Sequence, residues 1–77
     1  MKWTKQPIKV EDIPKVKRLL ENKVRQATPD LENIRCMFKY KDTILFNIYT
    51  AFDFINKYET LITQSEIIEF YLYQLVD

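Results

Sequence analysis

The side chains able to do acid–base work in this chain are carboxylates, lysines and tyrosines, because the sequence holds no histidine and no glycine. Glu66 and Glu69 are spaced to set two carboxyl groups one helical turn apart, an arrangement that general acid–base catalysis can use. They fall on what reads as a solvated helix face, so no catalytic residue is assigned and the chain is read as a non-enzyme. The single cysteine, Cys36, has no second thiol for a disulfide and no histidine to activate it. It reads as a small buried apolar side chain in a reducing compartment. One cysteine without histidine builds neither a zinc site of the usual Cys/His type nor a nucleophile–histidine arrangement. Without glycine there is no Walker loop and no dinucleotide fingerprint. The expectation is therefore no metal, no cofactor and no small-molecule substrate.

What remains is binding, and the charge is split by position. Met1 to Lys41 carry eleven Lys/Arg against five Asp/Glu, whereas Asp42 to Asp77 carry one against six, so the net charge of +1 hides halves of +6 and −5. Two surfaces preferring different partners, or one chain complementary to its own copy, would produce such a split. At 77 residues there is room for a single domain, residues 1–77, and 47% apolar with 14% aromatic residues is enough for a packed core. The longest uncharged run, Thr43 to Phe52, is about half the roughly 20 residues of a membrane span, and no apolar leader opens the chain. A cytoplasmic, soluble protein is the expectation. The richness in Lys, Ile and Tyr is that of a low-GC bacterium or a phage.

The elements that position these residues follow from periodicity. Residues 1–9 show no clear period and read as an extended arm. Asp12 as N-cap with Pro14 in the first turn opens a helix over roughly Ile13 to Gln26, with Ile13, Val16, Leu20, Val24 and Ala27 on one face and Lys15, Arg18, Asn22 and Arg25 on the other. Thr28-Pro29-Asp30 ends it. Ile34, Cys36, Phe38 and Tyr40 alternate with Arg35, Met37, Lys39 and Lys41, the pattern of a strand, and Ile44, Phe46 and Ile48 read as its hairpin partner across a three-residue loop at Lys41 to Thr43. That register pairs Phe38 with Phe46. Leu45, Ile48, Tyr49, Phe52 and Ile55 also fit a helix, which would make an all-α four-helix domain. The β-branched and aromatic content of 43–50 favours the strand, and Thr50 with Asp53 looks like the start of a helix from Ala51 to about Tyr58. Glu59 to Ile62 would connect it to a last helix, about Gln64 to Val76, opened by the capping-box pattern Thr63-Gln-Ser-Glu66 with a stripe of Ile67, Ile68, Tyr71, Leu72 and Leu75. The expected fold is thus α+β, in the order helix, strand, strand, helix, helix, with helices on one face of an antiparallel hairpin. Leu20 and Val24 should then be buried with Phe38, Phe46 and Leu72.

Two surfaces follow. Phe70 and Tyr73, beside Glu66 and Glu69 and away from the last stripe, form an apolar pair with an acidic rim, suited to a protein partner or to a second copy in a homodimer. Lys15, Arg18 and Arg25 of the first helix with Arg35, Lys39 and Lys41 of the hairpin could join into a basic patch for nucleic acid. The leading expectation is a small non-catalytic protein-binding module, a regulator, inhibitor or adaptor. A nucleic-acid-binding accessory protein using the basic half is the alternative.

Overall fold

The alternation at 34–40 forms a strand with the expected ends, and every even position along it is buried. In the computed structural model, which describes residues 1–27 and 29–76, the elements run β1 (Lys2–Ile8), α1 (Ile13–Arg25), β2 (Ile34–Tyr40), β3 (Phe46–Thr50), α2 (Ala51–Asn56), α3 (Tyr58–Gln64) and β4 (Ile67–Val76), with 3-10 turns at Val10–Asp12 and Pro29–Asn33. The strands make one sheet in the order β1-β4-β2-β3, all neighbours antiparallel. The domain is α+β, and the all-α alternative is excluded. Thr28, the first residue of the expected helix stop, lies outside the described residues.

One side of the sheet carries the core. Cys36, Phe38 and Tyr40 of β2 and Phe70 of β4 are buried with Ile13, Val16 and Leu20 of α1 and with Ala51, Phe54, Tyr58 and Leu61 of α2 and α3. Aromatic rings form its centre: Phe38 stacks on Phe70 at 6.1 Å and on Tyr49 at 5.7 Å, and Phe54 meets Phe70 edge-on at 5.5 Å. The Tyr40 hydroxyl donates to the Leu61 carbonyl at 2.6 Å, which lets a phenol sit in this core without an unpaired polar atom.

The last element is the largest correction. Residues 67–76 are not a helix but β4, seated between β1 and β2. A central strand has apolar side chains on both faces, so it lacks clean alternation and its spacing also fits a helical stripe. The supposed capping box belongs to the end of α3, where the Thr63 hydroxyl donates back to the Glu59 carbonyl at 2.7 Å. The stretch expected to connect helices, 59–62, is itself inside α3. The amino-terminal arm is also a strand, β1, paired with β4 from Lys2↔Val76 to Ile8↔Phe70. Its polar residues on both faces and its Pro7 hide a period, as they do on many edge strands.

The hairpin register differs by one. Phe38 pairs with Asn47 and Lys39 with Phe46, so Tyr49 lies on the core side and Phe46 and Ile48 on the other. A one-residue slip exchanges the faces. This register buries the Tyr49 ring against Phe38 and leaves the smaller Ile48 outside. The turn is tied to β4's entry through Lys41 N–H to Glu66 O at 2.8 Å and Ser65 Oγ to Asp42 Oδ1 at 3.0 Å, which delays β3 to Phe46. Val24 is 38% exposed rather than buried, since α1 contributes Ile13, Val16 and Leu20 and has turned away by its last turn. Asp12 precedes α1 without a side-chain cap bond, because the 3-10 turn holds it in αR geometry and its carboxylate faces Lys15 at 3.7 Å. Thr50 does cap α2, its hydroxyl accepting from Asp53 N–H at 3.1 Å.

Candidate functional site

The side of the sheet away from the core is open. Strand alternation assigns to it the odd positions of β1 and β2 and, through the registers, Glu69, Tyr71, Tyr73 and Leu75 of β4 and Phe46, Ile48 and Thr50 of β3. Its middle row reads Lys5, Tyr73, Arg35, Thr50 across the four strands, and the next row reads Pro7, Tyr71, Met37, Ile48. Two tyrosines thus stand near the centre of the face, on β4, one of its two inner strands.

Cations flank the rings. Lys5 Nζ lies 4.4 Å from the centre of the Tyr71 ring, and the Arg35 guanidinium lies 5.5 Å from that of Trp3. Arg35 is held there by donating to the Glu32 carbonyl at 2.7 Å and the Ile34 carbonyl at 3.0 Å, so its plane is fixed before anything binds. Trp3, Arg35, Met37, Ile48 and Tyr73 enclose a shallow groove of about 270 Å³. Glu69, the carboxylate of this face, accepts from the Tyr71 hydroxyl at 2.9 Å, and that bond pushes the Tyr71 phenol above its ordinary 10.0. Toward β3 the face runs into exposed aliphatics: Ile48 at 65%, and Ile44 and Leu45 of the turn at 87% and 76%.

The expected sites are redistributed by β4. Phe70 is a core residue, 1% exposed, on the opposite side of the sheet from Tyr73 and Glu69. Glu66 sits at the entry to β4, paired with Lys41 at 3.8 Å. Of the expected interface, only Tyr73 and Glu69 share a surface, and Glu66 and Glu69 do not converge as an acid–base pair. The basic residues also divide. Lys15, Arg18 and Arg25 belong to α1 in the helical layer, Arg35 and Lys39 to the open face, and Lys41 to the turn, so they form no single patch. Cys36 is fully buried, and burial pushes its thiol up to about 12, which leaves no thiolate for chemistry at neutral pH.

Lys5 reads from the sequence only as an extension of the basic patch, and Trp3, Met37, Ile48 and Tyr71 do not read from it as a surface. The signal was the period of two in Trp3-Lys5-Pro7 and in Glu69-Tyr71-Tyr73, legible only once both stretches are known to be strands. Among the described residues no group of His, Cys, Asp and Glu could hold a metal ion, and no helix is long and apolar enough to cross a membrane. The chain matches no protein-family model, no curated protein and no solved structure.

Proposed function

We propose that this chain is a non-catalytic protein-binding module, a regulator, inhibitor or adaptor, that acts by laying its open sheet face on a partner. The observation that carries this reading is the uncovered groove of Trp3, Arg35, Met37, Ile48 and Tyr73. Trp, Tyr, Met and Arg are the residue types enriched at the centres of protein interfaces, and a guanidinium already fixed beside a ring costs little entropy to use. Lys5, Arg35 and Lys39 outnumber the single carboxylate Glu69, itself engaged by Tyr71, so the fitting partner surface is an apolar segment edged with carboxylates. The fully buried thiol fits a reducing compartment such as the cytoplasm.

A second reading has one observation in its favour. Trp3, Tyr71 and Tyr73 with Lys5 and Arg35 between them resemble a stacking platform for single-stranded nucleic acid. The aliphatic continuation through Ile48, Leu45 and Ile44 has no role on such a platform and does have one against protein.

The test is capture from nuclease-treated host extract by the parent chain and by Trp3→Ala and Tyr73→Ala, with the partner then purified and titrated. Each variant should weaken binding by about 2 kcal/mol or more while leaving the fold intact. A partner bound equally by parent and both variants refutes the assignment of this face. Sub-micromolar binding of a single-stranded oligonucleotide at physiological salt, lost in Trp3→Ala, replaces the protein reading with the nucleic-acid one.

A further inference from the structure

The two borders of the sheet are built differently. The β1 border carries Lys2, Lys5 and Pro7, the devices by which natural sheets discourage a further strand. The β3 border is Phe46-Asn47-Ile48-Tyr49-Thr50, with no charge, no proline and no bulge, and all but Asn47 are residue types of high strand propensity. Its free backbone can be identified. Lys41 N–H turns to Glu66 O on the β4 side, while the Tyr40 carbonyl turns the other way to accept from Thr43 N–H. Alternating back along β2, the even residues bond β3, so Asn47 and Tyr49 are the β3 residues bonded to Phe38 and Cys36. Phe46 and Ile48 therefore direct their N–H and C=O groups out of the border.

We propose that β3 pairs with the β3 of a second copy of this chain, antiparallel about a twofold axis through Ile48, so that two four-stranded sheets become one of eight. The strand is self-complementary in that register. Ile48 meets Ile48, Asn47 meets Tyr49 and Phe46 meets Thr50, so no like charges are opposed. Beyond the strand, the exposed apolar turn of one copy, Ile44 at 87% and Leu45 at 76%, lies toward the end of the border where the other copy's α2 begins, with Phe52 47% exposed. A partner of unrelated sequence would have to supply an equally uncharged strand and an apolar counterpart to Ile44, and the chain itself carries both.

The pairing shares Ile48 with the proposed partner groove but does not depend on that reading: it is made by the β3 backbone, and Trp3 and Tyr73, where the partner surface is tested, take no part in it. Its effect would be to join two open faces side by side, so that a partner with two docking segments gains avidity from one dimer.

Sedimentation of the parent chain over a range from micromolar to sub-millimolar concentration should give twice the 9.4 kDa chain mass. Ile48→Lys, at a side chain already 65% exposed, should keep the parent's circular dichroism and sediment at the single-chain mass, because two ammonium groups would meet on the axis. Ile48→Cys should form an intermolecular disulfide under mild oxidation, since the Cα atoms of a hydrogen-bonded antiparallel pair lie about 5.5 Å apart, within disulfide reach. Ile44→Cys, in the turn and far from its own copy across the axis, should cross-link far more slowly, and the buried Cys36 does not compete. A parent chain monomeric throughout the range overturns the proposal, as does an Ile48→Lys variant that remains dimeric. Should Ile48→Lys fail to fold, the cross-linking contrast decides: equal rates at 44 and 48 overturn it. Trp3→Ala, which tests the partner surface, should remain fully dimeric.

Discussion

Phe70→Ala is the substitution that most directly tests the placement of β4. Phe70 is 1% exposed, stacked on Phe38 at 6.1 Å and edge-on to Phe54 at 5.5 Å, and both of those rings are fully buried. Truncating a buried phenylalanine costs about 3 to 5 kcal/mol. Two aromatic pairs are lost together here, which puts the expectation at the upper end of that range. A domain of 77 residues has roughly 4 to 12 kcal/mol in all, at about 0.05 to 0.15 kcal/mol per residue. The variant should therefore lose a third or more of its stability, with a melting temperature lower by about 15 to 30 °C. Urea unfolding followed by far-UV circular dichroism measures the loss as a fall in midpoint at constant slope. Phe70→Leu keeps most of the volume and should retain the fold at smaller cost. Tyr73→Ala, on the same strand but the open face, is the control and should change stability by no more than about 1 kcal/mol. Equal losses for the two residues would refute the strand, because only a strand separates positions 70 and 73 onto opposite faces of a sheet.

Tyr40→Phe removes the donor to the Leu61 carbonyl and leaves that oxygen unpaired in the core, so urea melts should show a loss of about 1 to 3 kcal/mol; an unchanged midpoint would mean that the bond is dispensable. The Cys36 thiol, at about 12 in the folded state against an ordinary 9.0, stays protonated where the unfolded chain ionises. Its contribution is complete below pH 9 and is lost as pH rises toward 12, so the parent should lose about 1 kcal/mol between pH 9 and 10, a step that Cys36→Ala should lack; matching pH profiles would refute it. Burial also raises the phenols of Tyr40 and Tyr58, which adds to the alkaline loss of both proteins above pH 10. Ala27 follows α1 with φ of 52°, a left-handed position held without glycine. Ala27→Gly should stabilise by about 0.5 to 1 kcal/mol, the left-handed penalty less the entropy glycine costs, and a destabilised variant would contradict that geometry.

Where one face is buried and the other wet, the sequence was legible. β2 alternates strictly and was bounded to the residue, and α1 declared itself by its Ile13, Val16 and Leu20 stripe with proline in the first turn. The Thr50 cap was readable because the side-chain chemistry of a helix start is local. β4 was not legible, because its faces carry Phe70 and Leu72 on one side and Tyr71 and Tyr73 on the other, and an element apolar all round fits either period. The same β-branched and aromatic content that favoured a strand at 43–50 is present at 67–76, and there a capping-box pattern outweighed it. The hairpin register escaped because it is set by the tie of Lys41 and Asp42 to residues 65 and 66, a contact with no trace in the hairpin's own sequence. The open face inherits the same ambiguity: its middle row draws on four strands, two of which look from the sequence like an arm and a helix.

The seat of β4 between β1 and β2 also fixes the order in which the chain can fold. Of the described elements β4 leaves the ribosome last, yet it is the partner of both strands beside it, and the Thr4 hydroxyl bonds Gln74 O across seventy positions. Until residue 76 has emerged, β1 has no neighbour and β2 is bare along one side, so helix α1 and the β2–β3 hairpin can form early but the sheet cannot close. Closing so long a loop is entropically late, and a topology rich in such distant pairings folds slowly for its size. During that interval the nascent chain exposes the uncharged β3 border together with the unpaired side of β2, and it is then, rather than in the finished domain, that the chain is most open to aggregation.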